Sequence, residues 1–458
     1  MVFSSNIFLF MFLPCVLAIY FITPRRFRNL ALLAVSLVFY GWGEPACLWI
    51  MVAVIMLNYA AGLLISRFTA KAGTILALSV VLNLAILMYF KYAAFLVNTM
   101  KALLPFTDSV RTPDIRLPIG ISFYIFQSMS YTIDVYCGAT QPQHSLVDFG
   151  AYVSLFPQLI AGPIVRYRDV AEQLRGRRES FDSFASGTEL FIIGLGKKVL
   201  IANVMGAAWE ELQLTSGALG AWAGMFAYTL QIYFDFSGYS DMARGLGRMF
   251  GFEFTVNFDF PYISRSVTEF WRRWHISLSS WFREYVYIPL GGNRCGKRRQ
   301  IFNILAVWSL TGLWHGASWN FVLWGMYYAL LLTAEKLFLS SRLERLPNIL
   351  RHALLLLAVS FGWMIFFFED LPELGRFCAR LVSFAPSGEH EMHTVLAYLP
   401  TAVLAAVAST PLIPGLAEKI RRGNISFAVK SILLSAVFIL SAASLAGQSY
   451  NPFIYFRF

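Results

Sequence analysis

Apolar runs, most of them about long enough to cross a lipid bilayer, follow one another along almost the whole chain, separated mostly by short turns. They are residues 5–23, 29–42, 47–66, 73–90, 117–137, 189–205, 218–234, 301–314, 319–338, 353–368, 394–413 and 428–446. A helix needs about 20 predominantly apolar residues to span the hydrocarbon core. This pattern predicts an all-α, polytopic membrane protein.

The charge content excludes a soluble protein. Charged residues make up 14% of the chain and hydrophobic residues 57%, whereas soluble domains carry about 25% charged residues. At about 20 residues per span, the 458 residues predict about eleven transmembrane helices. Further re-entrant or interfacial helices accompany them. We expect a single membrane-embedded domain over residues 1–458.

The turns alternate between basic and nearly neutral sequence. Residues 25–28 and 67–71 are rich in arginine and lysine, while residues 43–45 are not. Positive residues favour the cytoplasmic side of a membrane. The alternation therefore predicts that the N-terminus, and by continuation the C-terminus, lies outside the cytoplasm.

The excess positive charge does not indicate a nucleic-acid partner. The net charge of +11 is spread over short, separated clusters, as in the cytoplasmic loops of a membrane protein. A basic face interleaved with aromatic residues, which nucleic-acid binding requires, is missing from the sequence. The 5 cysteines lack paired ligand spacing, so the sequence predicts no metal site.

Three segments depart from the pattern of plain apolar spans. Residues 148–165 contain Pro157 and Pro163, which predict a broken or re-entrant helix. Residues 231–262 are too polar for a free-standing span, and we expect their acids, Asp235 and Asp241, to pair with nearby arginines.

Residues 266–290 form the third exceptional segment. Trp271, Trp274 and Leu278 recur near helical spacing, with charged residues at other positions. This spacing predicts one amphipathic helix that lies along or dips into the membrane surface.

Two histidines lie in tryptophan-rich, membrane-like sequence. An imidazole at membrane depth is costly and usually functional, and imidazole suits proton transfer near neutral pH. His315 begins the turn of a predicted hairpin, where Trp314 and Trp319 bound it and neighbouring glycines leave space around it. An interfacial histidine beside belt tryptophans is the alternative.

His275 is the second candidate. It shares a predicted helix face with Trp271 and Ser279, although a solvated histidine on such a helix would be unremarkable. If both rings line one cavity, one imidazole acts as a base and the other as an acid or an orienting group.

A basic cluster lies between the two histidines at Arg294, Lys297, Arg298 and Arg299. These residues either hold the loop in the cytoplasm or dock an anionic cytosolic donor. The sequence leaves both interpretations open.

The segments WRRWHISLSSWFREYVYIPLGGNR and TGLWHGASWNFVLWG resemble the membrane-bound O-acyltransferase superfamily. Further segments are similar to its bacterial alginate O-acetyltransferase branch: MVFSSNIFLFMFLP, LPIGISFYIFQSMSYTIDVY, FPQLIAGPIVRY, YFDFSGYSDMARGLG and NPFIYF. The resemblance covers nearly the full length, and its catalytic core corresponds to about residues 117–340.

The resemblance implies a helical bundle in which funnels from the two membrane faces meet in a central tunnel. The essential histidine of the family corresponds to His315, and its other core histidine to His275. Acetyl-CoA would enter from the cytoplasm as a substrate, with no bound cofactor and no metal.

The resemblance also implies partners and a location. The acetyl group would leave on the periplasmic side of a bacterial inner membrane. There it would pass, directly or through a periplasmic SGNH-hydrolase-like partner, to the product of a polysaccharide synthesis and export complex. Alginate is the leading acceptor, with cellulose and peptidoglycan as alternatives.

Two other functions stay open at this point. An enzyme of the same fold could transfer D-alanine to teichoic acid from a carrier protein. A proton-coupled transporter would use the histidines as a proton relay, but the two halves of the sequence lack the matching broken helices of an inverted-repeat transporter.

Overall fold

The computed structural model describes residues 2–159, 162–383, 386–415 and 426–447, and within these ranges every regular element is a helix. The chain divides into two compact units. The first consists of Met1–Leu190 and Met242–Thr255, and the second of Phe191–Asp241 and Val256–Phe458. A single domain comprising both stays a prediction.

Within the described residues, ten α-helices precede or cross the boundary between the units at Leu190 and Phe191. They are α1 (Leu13–Ile22), α2 (Arg28–Gly43), α3 (Leu48–Arg67), α4 (Ala72–Leu87), α5 (Ala93–Leu103), α6 (Ile121–Tyr136), α7 (Leu146–Ser154), α8 (Phe156–Leu159), α9 (Tyr167–Gly176) and α10 (Phe181–Gly196). Helix α10 runs from residues of the first unit into residues of the second.

The remaining helices complete the chain. They are α11 (Asn203–Leu212), α12 (Ala218–Met249), α13 (Val267–Arg273), α14 (Ile276–Phe282), α15 (Lys297–His315), α16 (Trp319–Ala334), α17 (Ser340–Leu343), α18 (Asn348–Phe367), α19 (Leu371–Leu381), α20 (Glu389–Ala408) and α21 (Ser426–Gly447). Single π-helical segments extend several of them, at Phe8–Phe12, Met88–Tyr92, Lys197–Ala202, Arg283–Tyr287 and Glu335–Leu339.

Seven helices of the described ranges are long and apolar enough to cross a membrane. They are Pro45–Arg67, Thr69–Leu103, Phe181–Leu212, Trp319–Leu343, Asn348–Phe367, Glu389–Ala408 and Phe427–Gly447, with a shorter apolar helix at Phe8–Ile22. The predicted all-helical membrane protein is thereby confirmed, while the number of about eleven crossings stays a prediction.

The first unit packs α3 against α4, α6 and α7, and α2 against α7 and α8. Helix α6 is buried along most of its length because its neighbours cover it on several sides. Its Asp134 pairs with Arg168 at 3.5 Å. The predicted break within residues 148–165 is confirmed, since α7 ends at Ser154 and α8 is a separate short helix.

The second unit is built on the hairpin of α15 and α16, with α18 packed on α16. A Cβ atom added at Gly312 would overlap the carbonyl oxygen of Phe321, and one at Gly325 would overlap that of Trp308. The two helices therefore approach to backbone contact. The predicted hairpin is confirmed, because α15 ends at His315 and α16 begins at Trp319.

The prediction of one continuous amphipathic helix over residues 266–290 is wrong. The structure divides it into α13 and α14, with a break at Trp274 and His275. The C-terminus, which we expect outside the cytoplasm, and the NPFIYF segment lie outside the described residues.

Gly312→Ala tests the close hairpin contact. The new methyl group overlaps the Phe321 carbonyl, so we expect a loss of about 1–3 kcal/mol of stability. The measurement is the thermal unfolding midpoint of the purified protein in detergent. Gly296→Ala is the matched control, because a Cβ atom there meets open space. Equal midpoints for the two variants would contradict the contact.

Candidate active site

His275 occupies a break in the chain rather than a helix face. Its backbone has φ 44° and ψ 54°, in the left-handed region. A residue other than glycine in that region costs about 1–3 kcal/mol, and it persists only where its surroundings fix it. Here Ile276 N–H donates to the Asn257 carbonyl and Asp259 N–H donates to the Arg273 carbonyl, each at 2.9 Å.

The His275 side chain is enclosed, with 1% of its surface exposed. Its Nδ1 lies 3.1 Å from Oδ1 of Asn257. The ring of Phe236 stands perpendicular to the imidazole at 4.7 Å between centroids, and that of Phe258 lies nearly parallel at 6.4 Å. The imidazole is therefore held by a polar contact at Nδ1 and by packing against two aromatic rings.

His315 is the last residue of α15 and is 7% exposed. Three aromatic rings surround its imidazole, with centroid distances of 5.1 Å to Trp314, 5.0 Å to Trp324 and 5.2 Å to Phe366. The Trp314 ring also lies 6.0 Å from the His275 ring. The structure thus brings both histidines against the same indole.

A cavity of ≈ 990 Å³ opens beside His275 between α13, α14, α15 and α16. Ligand pockets commonly measure about 300–1,000 Å³, so this cavity is large enough for a bulky ligand. Trp271 and Ser279, which the sequence placed on the face of His275, both line it. His315 is not among the described lining residues.

The charged side chains of the cavity are mostly cationic. Arg272, Arg283 and Lys336 line it together with one carboxylate, Glu335. That carboxylate accepts the N–H groups of Val267 at 2.7 Å and of the next residue at 3.2 Å, which anchors α13 to α16. With three cations against one carboxylate, the cavity has a net positive lining that suits an anionic ligand.

The other predicted aromatic residues lie in different environments. Trp274 packs on Trp363 at 4.7 Å, within the core of the second unit. Trp319 is 54% exposed at the first position of α16. Only Trp314 of the predicted pair beside His315 is therefore buried.

The predicted basic cluster is exposed at the start of α15. It comprises Arg294, Lys297, Arg298 and Arg299. Asn293, which directly precedes it, lines the cavity and accepts a hydrogen bond from Lys336 Nζ at 2.8 Å. The cluster thus follows a cavity-lining residue along the chain. The cations that line the cavity itself belong to other segments.

The predicted ion pairing of the two acids of α12 is confirmed, and a lysine lies against each of them. Asp235 lies 2.6 Å from Lys198, and Asp241 lies 2.7 Å from Lys197. The first pair is almost completely buried, with side chains 3% and 2% exposed. Phe236, whose ring packs on His275, follows Asp235 directly on the same helix.

Sequence reasoning missed Asn257, Phe236, Glu335 and Lys336. Each has only a weak signal in the sequence. Asn257 is a polar residue within an aromatic run, and Glu335 and Lys336 are a charged pair at the end of an apolar helix. Each gains its role from a partner far away in the sequence.

Comparison with known proteins identifies the family of the chain. Residues 139–371, which include both histidines, match the membrane-bound O-acyltransferase family. The chain is also 42% identical, over 100% of both chains, to a probable alginate O-acetylase AlgI of Azotobacter vinelandii. It belongs to the membrane-bound O-acyltransferase family.

Other relatives within this family have different printed activities. A peptidoglycan O-acetyltransferase of Helicobacter pylori is 32% identical over 81% of this chain and 78% of its own. A teichoic acid D-alanyltransferase of Bacillus subtilis is 29% identical over 55% of this chain and 67% of its own. The protein is an O-acyltransferase, and its two buried histidines lie within the matched region.

Removal of one partner from the buried Lys198–Asp235 pair tests whether Asp235 is structural. Lys198→Met leaves a carboxylate buried beside an apolar side chain, and such a change costs about 3–5 kcal/mol. Thermal unfolding of the purified variants measures this cost. The control is Lys198→Met with Asp235→Leu, which removes both charges and should recover most of the stability. A double variant no more stable than the single one would contradict a structural pair.

Proposed function

We propose that this O-acyltransferase moves acetyl groups from cytoplasmic acetyl-CoA across the inner membrane, for O-acetylation of an exopolysaccharide. The observation that carries the proposal is the cavity of ≈ 990 Å³ with one buried imidazole and a mostly cationic set of charged residues. Coenzyme A carries several negative charges, so a cationic lining favours it electrostatically.

The chemistry requires one base and a held thioester. The oxygen of an acceptor hydroxyl attacks the thioester carbonyl, while a neutral imidazole takes the hydroxyl proton. The carbon–sulfur bond then breaks, the acetyl ester remains on the acceptor, and the coenzyme thiolate takes up the proton as it leaves. We assign the base to His315 and the orientation of the donor to His275. An acetyl-histidine intermediate is the alternative route.

The aromatic surroundings of the imidazoles support this assignment. Trp314, Trp324 and Phe366 enclose His315 in a setting of low polarity. Burial of an imidazolium there would be costly, so the neutral, basic form is favoured. A cavity large enough for a bulky carrier, beside two imidazoles that share the Trp314 ring, suits transfer of an acyl group from that carrier.

We further propose the topology that this role needs. About eleven helices cross the inner membrane, both termini face the periplasm, and funnels from the two faces meet in a tunnel. A periplasmic SGNH-hydrolase-like partner then receives the acetyl group within a polysaccharide synthesis and export complex.

Alginate is the acceptor that we propose, because the full-length relative with 42% identity is named a probable alginate O-acetylase. Cellulose is an alternative from the resemblance of the sequence, and peptidoglycan from the printed name of the Helicobacter pylori relative. A teichoic acid D-alanyltransferase among the relatives keeps a carrier-protein donor as the second candidate. Competition between acetyl-CoA and such a carrier thioester separates the donors. Membership of an acyltransferase family sets the transporter aside.

His315→Ala and His275→Ala test the proposed chemistry. Loss of a general base lowers rates by about 10²–10⁴-fold, so we expect polysaccharide acetylation to disappear while each variant still accumulates in the membrane. Labelled acetyl transfer from acetyl-CoA in membrane vesicles measures the effect, and immunoblotting measures the amount of protein. His390→Ala, at an exposed histidine, is the control. Normal acetylation by His315→Ala would refute the assignment.

A further inference from the structure

One oxygen atom of Asn257 meets three hydrogen-bonding groups at the break before α14. Its Oδ1 accepts the backbone N–H of Ser277 at 3.2 Å and the Ser277 hydroxyl at 2.9 Å. The Nδ1 atom of His275 lies 3.1 Å from the same oxygen. Asn257 itself is buried, so these contacts are shielded from competing water.

The backbone N–H of Ser277 fixes the orientation of the amide. A backbone N–H only donates, and the opposite amide orientation would turn the NH₂ group of Asn257 toward it. Two donors would then face each other in a buried setting, which is unfavourable. The atom facing His275 is therefore the carbonyl oxygen, and a carbonyl oxygen only accepts.

An accepting oxygen determines the protonation of its partner. His275 must place a hydrogen on Nδ1 to make this bond, and a neutral imidazole has one donor and one acceptor nitrogen. The lone pair consequently resides on Nε2. Nε2 is itself buried, and no partner for it lies within hydrogen-bonding distance among the described residues, while the His275 residue borders the cavity.

The main chain of Asn257 contributes to the same arrangement. Its carbonyl accepts the N–H of Ile276 at 2.9 Å, directly after the left-handed backbone of His275. Asn257 thus holds His275 from both sides, through its carbonyl at the backbone and through its side chain at the ring.

We propose that Asn257 is a positioning residue, which holds His275 as the Nδ1–H tautomer and presents the Nε2 lone pair to the donor cavity. This inference deepens the proposed function and rests on it. His275 acts toward the donor as an acceptor of a proton or hydrogen bond, and not as an acid. An N–H or O–H group of the acyl carrier is the class of ligand group that such a nitrogen binds.

Nitrogen NMR of the protein labelled with ¹⁵N-histidine in lipid nanodiscs tests the inference without reference to activity. The His275 signals are those lost in His275→Gln. We expect a protonated Nδ1 and an unprotonated Nε2 in the native protein. Asn257→Asp keeps an acceptor and should keep this tautomer, whereas Asn257→Ala should lose the Nδ1-bound proton signal or mix the two tautomers.

Asn303→Ala is the matched control, because Asn303 is buried in the same unit and contacts the Gly292 carbonyl. It should leave the His275 signals unchanged. Acetyl transfer should fall in Asn257→Ala and recover in Asn257→Asp. A native His275 protonated at Nε2 overturns the inference even if Asn257→Ala does not fold, and so does an unchanged tautomer in Asn257→Ala.

The outcomes distinguish this inference from the proposed function. The expected tautomer combined with full acetyl transfer by His275→Ala would refute the role of His275 in transfer, and with it the proposed site. An Nε2-protonated His275 in a protein that transfers acetyl groups normally would refute only the role of Asn257.

Discussion

The hydrogen bonds between the extended segment at Asn257–Asp259 and the chain break at His275 fix the geometry of the site. They allow a residue with a side chain to adopt a left-handed backbone, and they turn the imidazole away from the helix face that the sequence pattern suggests. A continuous helix would carry His275 on its surface. The break instead places the ring at the wall of a cavity, against Phe236 and Trp314.

Aromatic packing connects His275 to His315. Trp314 contacts both imidazoles, and Trp324 and Phe366 close the surroundings of the second. The close α15–α16 hairpin fixes Trp314 and His315 at its turn. Large, rigid side chains with few rotamers maintain such an arrangement at little entropic cost, which is what a transfer site between two bulky substrates requires.

The sequence predicts the features that depend on local patterns. Apolar runs located the seven described helices that are long and apolar enough to cross a membrane, Pro157 marked the broken segment, and His315 with its glycines marked the hairpin turn. The break at His275 was missed because the spacing of Trp271, Trp274 and Leu278 continues through it without interruption. The helix is interrupted by the hydrogen bonds to Asn257, which lies eighteen residues earlier.

Long-range partners account for the other misses. The lysines that pair with Asp235 and Asp241 were not foreseen, since nothing near the acids in the sequence specifies them. The cations of the cavity come from α13, from the segment after α14 and from the end of α16, so their convergence depends on tertiary packing. The exposed basic cluster at residues 294–299 is visible in the sequence because its members lie close together along the chain.

The most direct test of the account is a structure of the protein in nanodiscs with a non-hydrolysable acetyl-CoA analogue. We predict that the analogue occupies the cavity between α13 and α16, with its phosphates near Arg272, Arg283 and Lys336 and its acyl carbon beside His275 and Trp314. Binding of the analogue elsewhere, or an empty cavity at saturating concentration, would contradict the central claim that this cavity delivers the acyl donor to the two histidines.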